Sequence, residues 1–443
     1  MKKIKNNLSE YKNILIKSGK IIDPVRKKEF DSDVFIKEGR ISKIDKKIEF
    51  KNLEIADKND IFVIDASGFI VSPGFVDMHV HLRDPGNEDE EDIKSGINAA
   101  LKGGITTIAS MPNTEPPIDS EHLVKYIIES AMKLDYKIFP IAAMTKKIKG
   151  KEITEFGILK RAGAAALSDD GRCVANSRIM YEIMEYARQF KLLLILHEED
   201  YSFSESGLVH EGYFSSKLGL DGISYLSEDL VVARDIILAK YTGARIHITH
   251  VSSKNSVKMI KKAKENDVNI TCDVTPHHLF FDDSCLSDFN TNFKVKPPIR
   301  SEEDREAIIA AIKEGVIDAV ASDHAPHLET EKNTTFKEAS FGAIGLETLF
   351  SACYTKLYKQ EGIKLPDVIS LFTSSPSNIL DIESGSLKIG NKADITIFNP
   401  DKINKIGKQD FISKSVNSPF IGESLFGEVV YTINNGKLVF KSG

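Results

Sequence analysis

Residues 74–82 read GFVDMHVHL, and the alternation inside them decides how the middle of the chain folds. Side chains at i and i+2 of a strand face the same way. An extended 75–81 segment therefore aims His79 and His81 together and turns Val76, Met78 and Val80 to the other face. Two imidazoles about 7 Å apart along a strand can converge on one cation. Burying the same pair in an apolar core without partners costs several kcal/mol.

Seven more stretches of the same kind follow: ITTIASMPN (105–113), KIFPIAAMT (137–145), GAAALSDDG (163–171), LLLILHEED (192–200), RIHITHVSS (245–253), NITCDVTPHH (269–278) and IDAVASDHAPH (317–327). Helix-period segments separate them, among them SRIMYEIMEYARQF (177–190) and SEEDREAIIAAIKEG (301–315), the latter opening on a Ser-x-x-Asp cap. Eight strands, each followed by a helix, predict an α/β fold of the (β/α)8 TIM-barrel kind. An open doubly wound sheet is the alternative, although no GxGxxG follows the first strand. The two ends have a different texture. NILIKSGKII, SDVFIKEGRISKID and NDIFVIDASGFIV near the start, and GSLKIGNKADITIFNP and GEVVYTINNGKLVF near the end, alternate apolar and polar residues around turn glycines. Asn435-Gly436 is a hairpin signal. Both ends are expected to build one small sheet domain clasping the centre, which divides the chain into 1–71, 72–380 and 381–443.

Composition narrows the function. The 443 residues are 41% hydrophobic, with 59 basic and 65 acidic side chains and a net charge of −6. That is an ordinary globular balance with no basic field to hold nucleic acid or an anionic membrane. The four cysteines lie far apart without a CxxC pair, as reduced cytosolic thiols do. The opening MKKIKNNLSEYKNILIKSGK has no apolar h-region and no 18-residue apolar run occurs, so a cytoplasmic protein is expected.

All eleven histidines fall between His79 and His327, which points to the centre as the seat of the chemistry. Asp170, His197, His250 and Asp323 end the fourth, fifth, sixth and eighth strand candidates. Barrel closure would carry them to the rim where His79 and His81 stand. Four histidines and two aspartates suffice for one or two divalent ions with a position left for water. Each alone is more often a cap or a satisfied core residue; their shared placement gives the set its weight. Asp169 competes with Asp170. His247, opposite in parity to His250, is expected to pack outward, and His122 and His210 to lie at the surface. Residues 277–297 could close over the site, with His277 and His278 lining that segment or ending the seventh strand. The acidic run Glu88–Asp92 is expected to charge the N-terminus of the next helix.

Taken in order, GFVDMHVHLRDPG, SMPNTEPP, LSDDG, LHEED, THVSS, ASDHAPH and ASFGAIGLET resemble the motif set of the amidohydrolase superfamily, specifically the bacterial class I dihydroorotases, across nearly the whole chain. The resemblance implies a (β/α)8 barrel plus a small β-sandwich built from both termini. It implies reversible cyclisation of N-carbamoyl-L-aspartate to (S)-dihydroorotate in pyrimidine synthesis, with one or two zinc ions. The implied metal ligands are His79, His81, Asp170, His197, His250 and Asp323, the family's spacing favouring Asp170 over Asp169. Asp323 is the implied catalytic acid and base. Substrate contacts carry over onto His81, Arg83, Asn113, His327, Phe341 and Gly342. Arg83 offers a planar fork for a carboxylate, or else a surface ion pair with Asp84 or Glu88. Lys296 stands before Pro297-Pro298 where the family commonly has asparagine; as a donor only, it could grip a substrate carboxylate or swing out to solvent. Hydantoinases, dihydropyrimidinases and allantoinases, the neighbouring alternatives, use a carboxylated lysine where this chain has an aspartate. A noncatalytic relative serving as an assembly partner is the other alternative. A homodimer and association with an aspartate transcarbamoylase are the expected partners, beside the small-molecule substrate.

Overall fold

The computed structural model describes residues 11–53 and 60–443; the first ten residues, part of the segment read above for a leader, lie outside them. Eight parallel strands stand side by side in chain order: β1 (Phe75–Val80), β2 (Ile105–Ser110), β3 (Lys137–Ala143), β4 (Ala166–Ser168), β5 (Leu193–Leu196), β6 (Arg245–Ile248), β7 (Ile270–Val274) and β8 (Ala319–Val320). The ring closes just beyond β8. Val80 and His324 form a parallel bridge, and the His81 N–H donates to the His324 carbonyl at 2.9 Å. The sheet is thus a barrel rather than an open doubly wound sheet.

Burial on both faces explains why these strands read as apolar runs rather than alternating ones. Outward side chains such as Ile246, Ile248, Cys272 and Val274 join the helices in one large core. Inward Ala109, Ile141, Ala166, Leu193, Ile195 and Ala319 fill the lumen, plugged by Ile379 and Leu380. The lumen is therefore packed, and only the rim at the strand C-termini is left for chemistry. Strand β1 departs from simple alternation. Its register on β2 slips by one residue between Asp77 and Val80, so Met78 joins the lumen cluster while Val80 packs outward. The bulge corrects the expected placement of Met78, which shares the inside with His79.

Helix ends follow the sequence signals in part. Ser301 caps the helix Glu302–Lys313 by accepting the Asp304 N–H. Of the acidic run, Asp92 alone caps the next helix, Ile93–Lys102, by accepting the Ser95 N–H at 2.7 Å. Glu91 is instead buried against His324 and Ser413, and Glu90 pairs with Arg83.

The termini form a second sheet of eight strands. Its order runs Lys437–Lys441, Ser424–Asn434, Ile395–Lys405, Ile70–Pro73, Asn13–Asp23, Lys28–Lys37, Arg40–Asp45, with Ile61–Asp65 branching beside Asn13–Asp23. The sandwich is thus one branched sheet that curls around a common core of Ile14, Ile36, Ile41, Ile395, Ile433 and Leu438. Its two hairpin tips, at Gly39 and at Asn435-Gly436, meet across Ala393, whose N–H donates to the Gly39 carbonyl at 2.9 Å and whose carbonyl accepts the Gly436 N–H at 2.8 Å. Asn435 and Gly436 both take the left-handed φ values (50° and 77°) that a tight two-residue hairpin requires. No helix among the described residues is long and apolar enough to cross a membrane.

Candidate active site

The rim gathers the six residues that the motifs singled out. Ligand atoms of His79, His81 and Asp170 lie within 4.8 Å of one another, and so do those of Asp170, His197 and His250. Asp170 stands between the two groups. Its Oδ2 is 3.4 Å from His79 Nε2 and 3.5 Å from His81 Nε2, while its Oδ1 is 3.5 Å from His197 Nδ1 and 3.7 Å from His250 Nε2. Asp323 Oδ1 joins from the end of β8, 3.2 Å from His81 Nε2 and 3.5 Å from His79 Nε2. Asp169 turns away to the backbone N–H and hydroxyl of Thr145.

Backbone strain helps to aim these groups. Arg83, His250 and Asp323 have φ of 59°, 38° and 47°, values that non-glycine residues adopt only where the surroundings enforce them. The turn at His250 also explains His247, expected outside the barrel. Ile246 and Ile248 pack outward, so His247 points into the lumen, wholly buried, with Nε2 2.8 Å from Asp273 Oδ2. Asp273 in turn accepts from the His250 N–H at 2.6 Å and from the Thr249 hydroxyl, and that hydroxyl lies 2.8 Å from His79 Nδ1. His247, Thr249 and Asp273 thus buttress two metal-candidate histidines from below, a role that strand parity alone did not reveal.

The field at the rim calls for positive charge. Burial opposes protonation of His79, but the Asp170 and Asp323 carboxylates outweigh it and push its pKa up to about 9. His197 rises to about 10, where burial is overcome by Asp170 and Glu199. Burial raises the Asp170 and Asp323 carboxyls, yet His79 and its neighbours hold both well below the usual carboxylate range. Among the described residues, His79 Nε2 and Asp170 Oδ1 are buried without a hydrogen-bond partner. Imidazole nitrogens and carboxylate oxygens left unpaired in this way suit a divalent cation.

The expected substrate residues ring the same opening. Asn113 Oδ1 is 2.7 Å from His81 Nδ1. Arg83 is paired with Glu90 at 2.9 Å, rather than with Asp84 or Glu88, and its Nη2 lies 3.3 Å from His327 Nε2. His327 Nε2 is 2.7 Å from the Phe341 carbonyl. Gly342, at φ 139°, abuts His327: a Cβ there would fall 2.9 Å from Nε2. Lys296 turns inward to Glu199 Oε1 at 2.6 Å. The 277–297 segment is ordered into the short helix Pro276–Phe280 and two 3-10 turns, with Phe281 and Phe293 packed against Val295, Ile299 and Ala343. His122 is exposed, as expected. His210 is not: it is buried, and Arg300 Nη1–H donates to its Nδ1 at 3.3 Å.

A closed (β/α)8 barrel with histidines and aspartates converging at its C-terminal rim defines a metal-dependent hydrolase of the amidohydrolase class. Comparison with known proteins narrows this further. The family model "Dihydro-orotase-like" matches residues 68–256. Dihydroorotases from Caldanaerobacter subterraneus subsp. tengcongensis (45% identity over 429 residues, 97% of each chain) and Caldicellulosiruptor saccharolyticus (43% over 431 residues, 97% and 99%) are among the similar relatives. The chain belongs to the dihydroorotase family. Among solved structures, an L-hydantoinase (dihydropyrimidinase) from Arthrobacter aurescens superposes with a TM-score of 0.85 at 24% identity over 97% of this chain and 96% of that one. A dihydropyrimidinase from Brevibacillus agri gives 0.82 at 20%, over 97% and 95%. These two likenesses concern the fold.

Proposed function

We propose that the protein is a zinc-dependent dihydroorotase that interconverts N-carbamoyl-L-aspartate and (S)-dihydroorotate in pyrimidine synthesis. The observation that carries this reading is the placement of Asp170 between two three-residue ligand groups. His79, His81 and Asp170 would hold one ion, and Asp170, His197 and His250 a second, with Asp323 beside them. Zinc held by these residues would lower the pKa of a bound water to about 7 and would polarise the amide carbonyl.

Asp323 is the general base and acid. Held as an anion beside the imidazoles, it takes the proton of the attacking water and passes it to the departing ring nitrogen. In the cyclising direction it removes the ureido proton. Arg83 presents its guanidinium to the substrate carboxylate, with Asn113, Lys296 and His327 as further polar contacts and the Phe341–Gly342 backbone closing the side. Division at 1–71, 72–380 and 381–443, a cytosolic location, a homodimer and association with an aspartate transcarbamoylase belong to the same reading; the four free thiols are in keeping with the location.

Ring closure consumes one carboxylate and one proton. The equilibrium ratio of dihydroorotate to carbamoyl aspartate should therefore fall about tenfold per pH unit between pH 6 and 8. Turnover of carbamoyl aspartate with and without a chelator tests the assignment. Activity that survives complete removal of metal, or a ratio indifferent to pH, overturns it.

A further inference from the structure

His197 is supported differently from His79 and His81. His79 Nδ1 rests on the Thr249 hydroxyl at 2.8 Å and His81 Nδ1 on the Asn113 amide oxygen at 2.7 Å, both neutral groups. His197 Nε2 faces a carboxylate, Glu199 Oε2, at 3.1 Å. That carboxylate is buried, and its other oxygen, Oε1, accepts from the Ser204 hydroxyl at 2.5 Å and lies 2.6 Å from Lys296 Nζ. Lys296 arrives from a separate segment after β7, and its ammonium also sits 5.1 Å from the Phe341 ring centroid. Neither Glu199 nor this link to Lys296 stands out in the sequence.

We propose that Glu199 and Lys296 act as positioning residues that set the strength of one cation position, that of Asp170, His197 and His250, and leave the His79–His81–Asp170 position unaltered. The inference rests on the metal-centre reading above. When His197 donates its Nε2–H to Glu199, the lone pair of Nδ1 is left facing Asp170 and His250. A carboxylate acceptor makes that nitrogen a better donor to a cation, and loss of such a partner typically weakens metal binding about 10–100-fold. The Lys296 ammonium works against this. It draws negative charge toward Oε1, away from the imidazole, and adds a positive charge behind His197 that opposes a second cation. Among the described residues no carboxylate–ammonium pair backs His79 or His81 directly, so the two positions are unequal, and with the ammonium opposing the second cation the His79–His81 position fills first.

Zinc titration of chelator-stripped protein, followed by competition with a chromophoric chelator and by elemental analysis, reads both constants without recourse to activity. The wild type should show two unequal constants, or a single tight ion. Lys296→Met, which keeps the aliphatic stem and removes the charge, should tighten the weaker position about tenfold or raise the stoichiometry toward two, with the tight constant unchanged. Lys296→Arg should restore wild-type behaviour, and Glu199→Gln should weaken the second position alone. Two equal wild-type constants, or a Lys296→Met variant whose zinc binding matches the wild type or shifts at both positions alike, overturn the inference while leaving the metal centre standing. A wild type that takes up no zinc overturns both. Because Lys296 is partly exposed, its variants report even if Glu199→Gln fails to fold.

Discussion

Asp323 leaves β8 at a strained φ and reaches the imidazoles of β1 from the opposite side of the barrel seam. Asp323→Asn keeps the shape and removes the base, so kcat should fall about 10²–10⁴-fold with the melting temperature little changed. Steady-state kinetics beside a thermal melt checks this; activity above a few per cent of wild type refutes the assigned role. His210 makes a different kind of test. Burial, then the Arg300 guanidinium, pushes its pKa down to about 4, so the fold holds it neutral as the acceptor of the Arg300 N–H. Because the unfolded chain binds a proton near pH 6.5 and the folded chain only near 4, stability is lost as pH falls between those values, by on the order of 3 kcal/mol. His210→Gln should flatten that part of a urea-denaturation pH profile by about one proton. The six residues at the rim were legible because each follows an apolar run that only a strand explains. His210 was not, since nothing near it in sequence announces Arg300, ninety positions on. Glu199 was hidden among three successive acidic residues, of which only the fold chooses one to face His197.

At the scale of elements, β1 shows what periodicity can and cannot deliver. Alternation placed His79 and His81 together correctly, yet a one-residue bulge, invisible in GFVDMHVHL, moved Met78 to their side. The short strands β4 and β8 were found through the polar residues that follow them rather than through their own length. The loop of residues 328–342, which carries Phe341 and Gly342, has a support that no motif advertised. Lys332 Nζ donates to the carbonyls of Ser340 at 2.8 Å and Gly342 at 2.9 Å, and Lys294 Nζ to those of Phe336, Lys337 and Ala339 at 2.7–3.0 Å. Lys332→Met takes the donor from the half-buried Ser340 carbonyl, at about 1–3 kcal/mol, and leaves the Gly342 carbonyl to the Asn417 Nδ2–H alone, at 3.1 Å. The variant should raise KM for dihydroorotate at least several-fold while kcat falls less, as Michaelis kinetics on freshly folded enzyme would show. An unchanged KM would mean that the loop is held without the ammonium.

On the scale of the whole molecule, stability and chemistry are housed apart. Among the described residues, the metal-candidate groups come from the barrel, whereas the curled terminal sheet closes over its own core. Ile433→Ala, at a wholly buried position of that core, should cost about 2–5 kcal/mol and lower the melting temperature, with kcat and KM per folded molecule unchanged; calorimetry paired with kinetics decides this. The join between the ends was readable from their shared strand texture, while the branch at Asn13–Asp23 was not, because pairing partners across hundreds of residues leave no local mark. That join carries a consequence for biosynthesis. Ile70–Pro73 emerges from the ribosome early, but its antiparallel neighbour Ile395–Lys405 is more than three hundred codons downstream. At about 5–20 residues per second the nascent polypeptide waits tens of seconds with one sheet margin bare. An unsatisfied margin of this kind invites pairing between neighbouring polysomal chains, and trigger-type chaperones would be needed most during that interval.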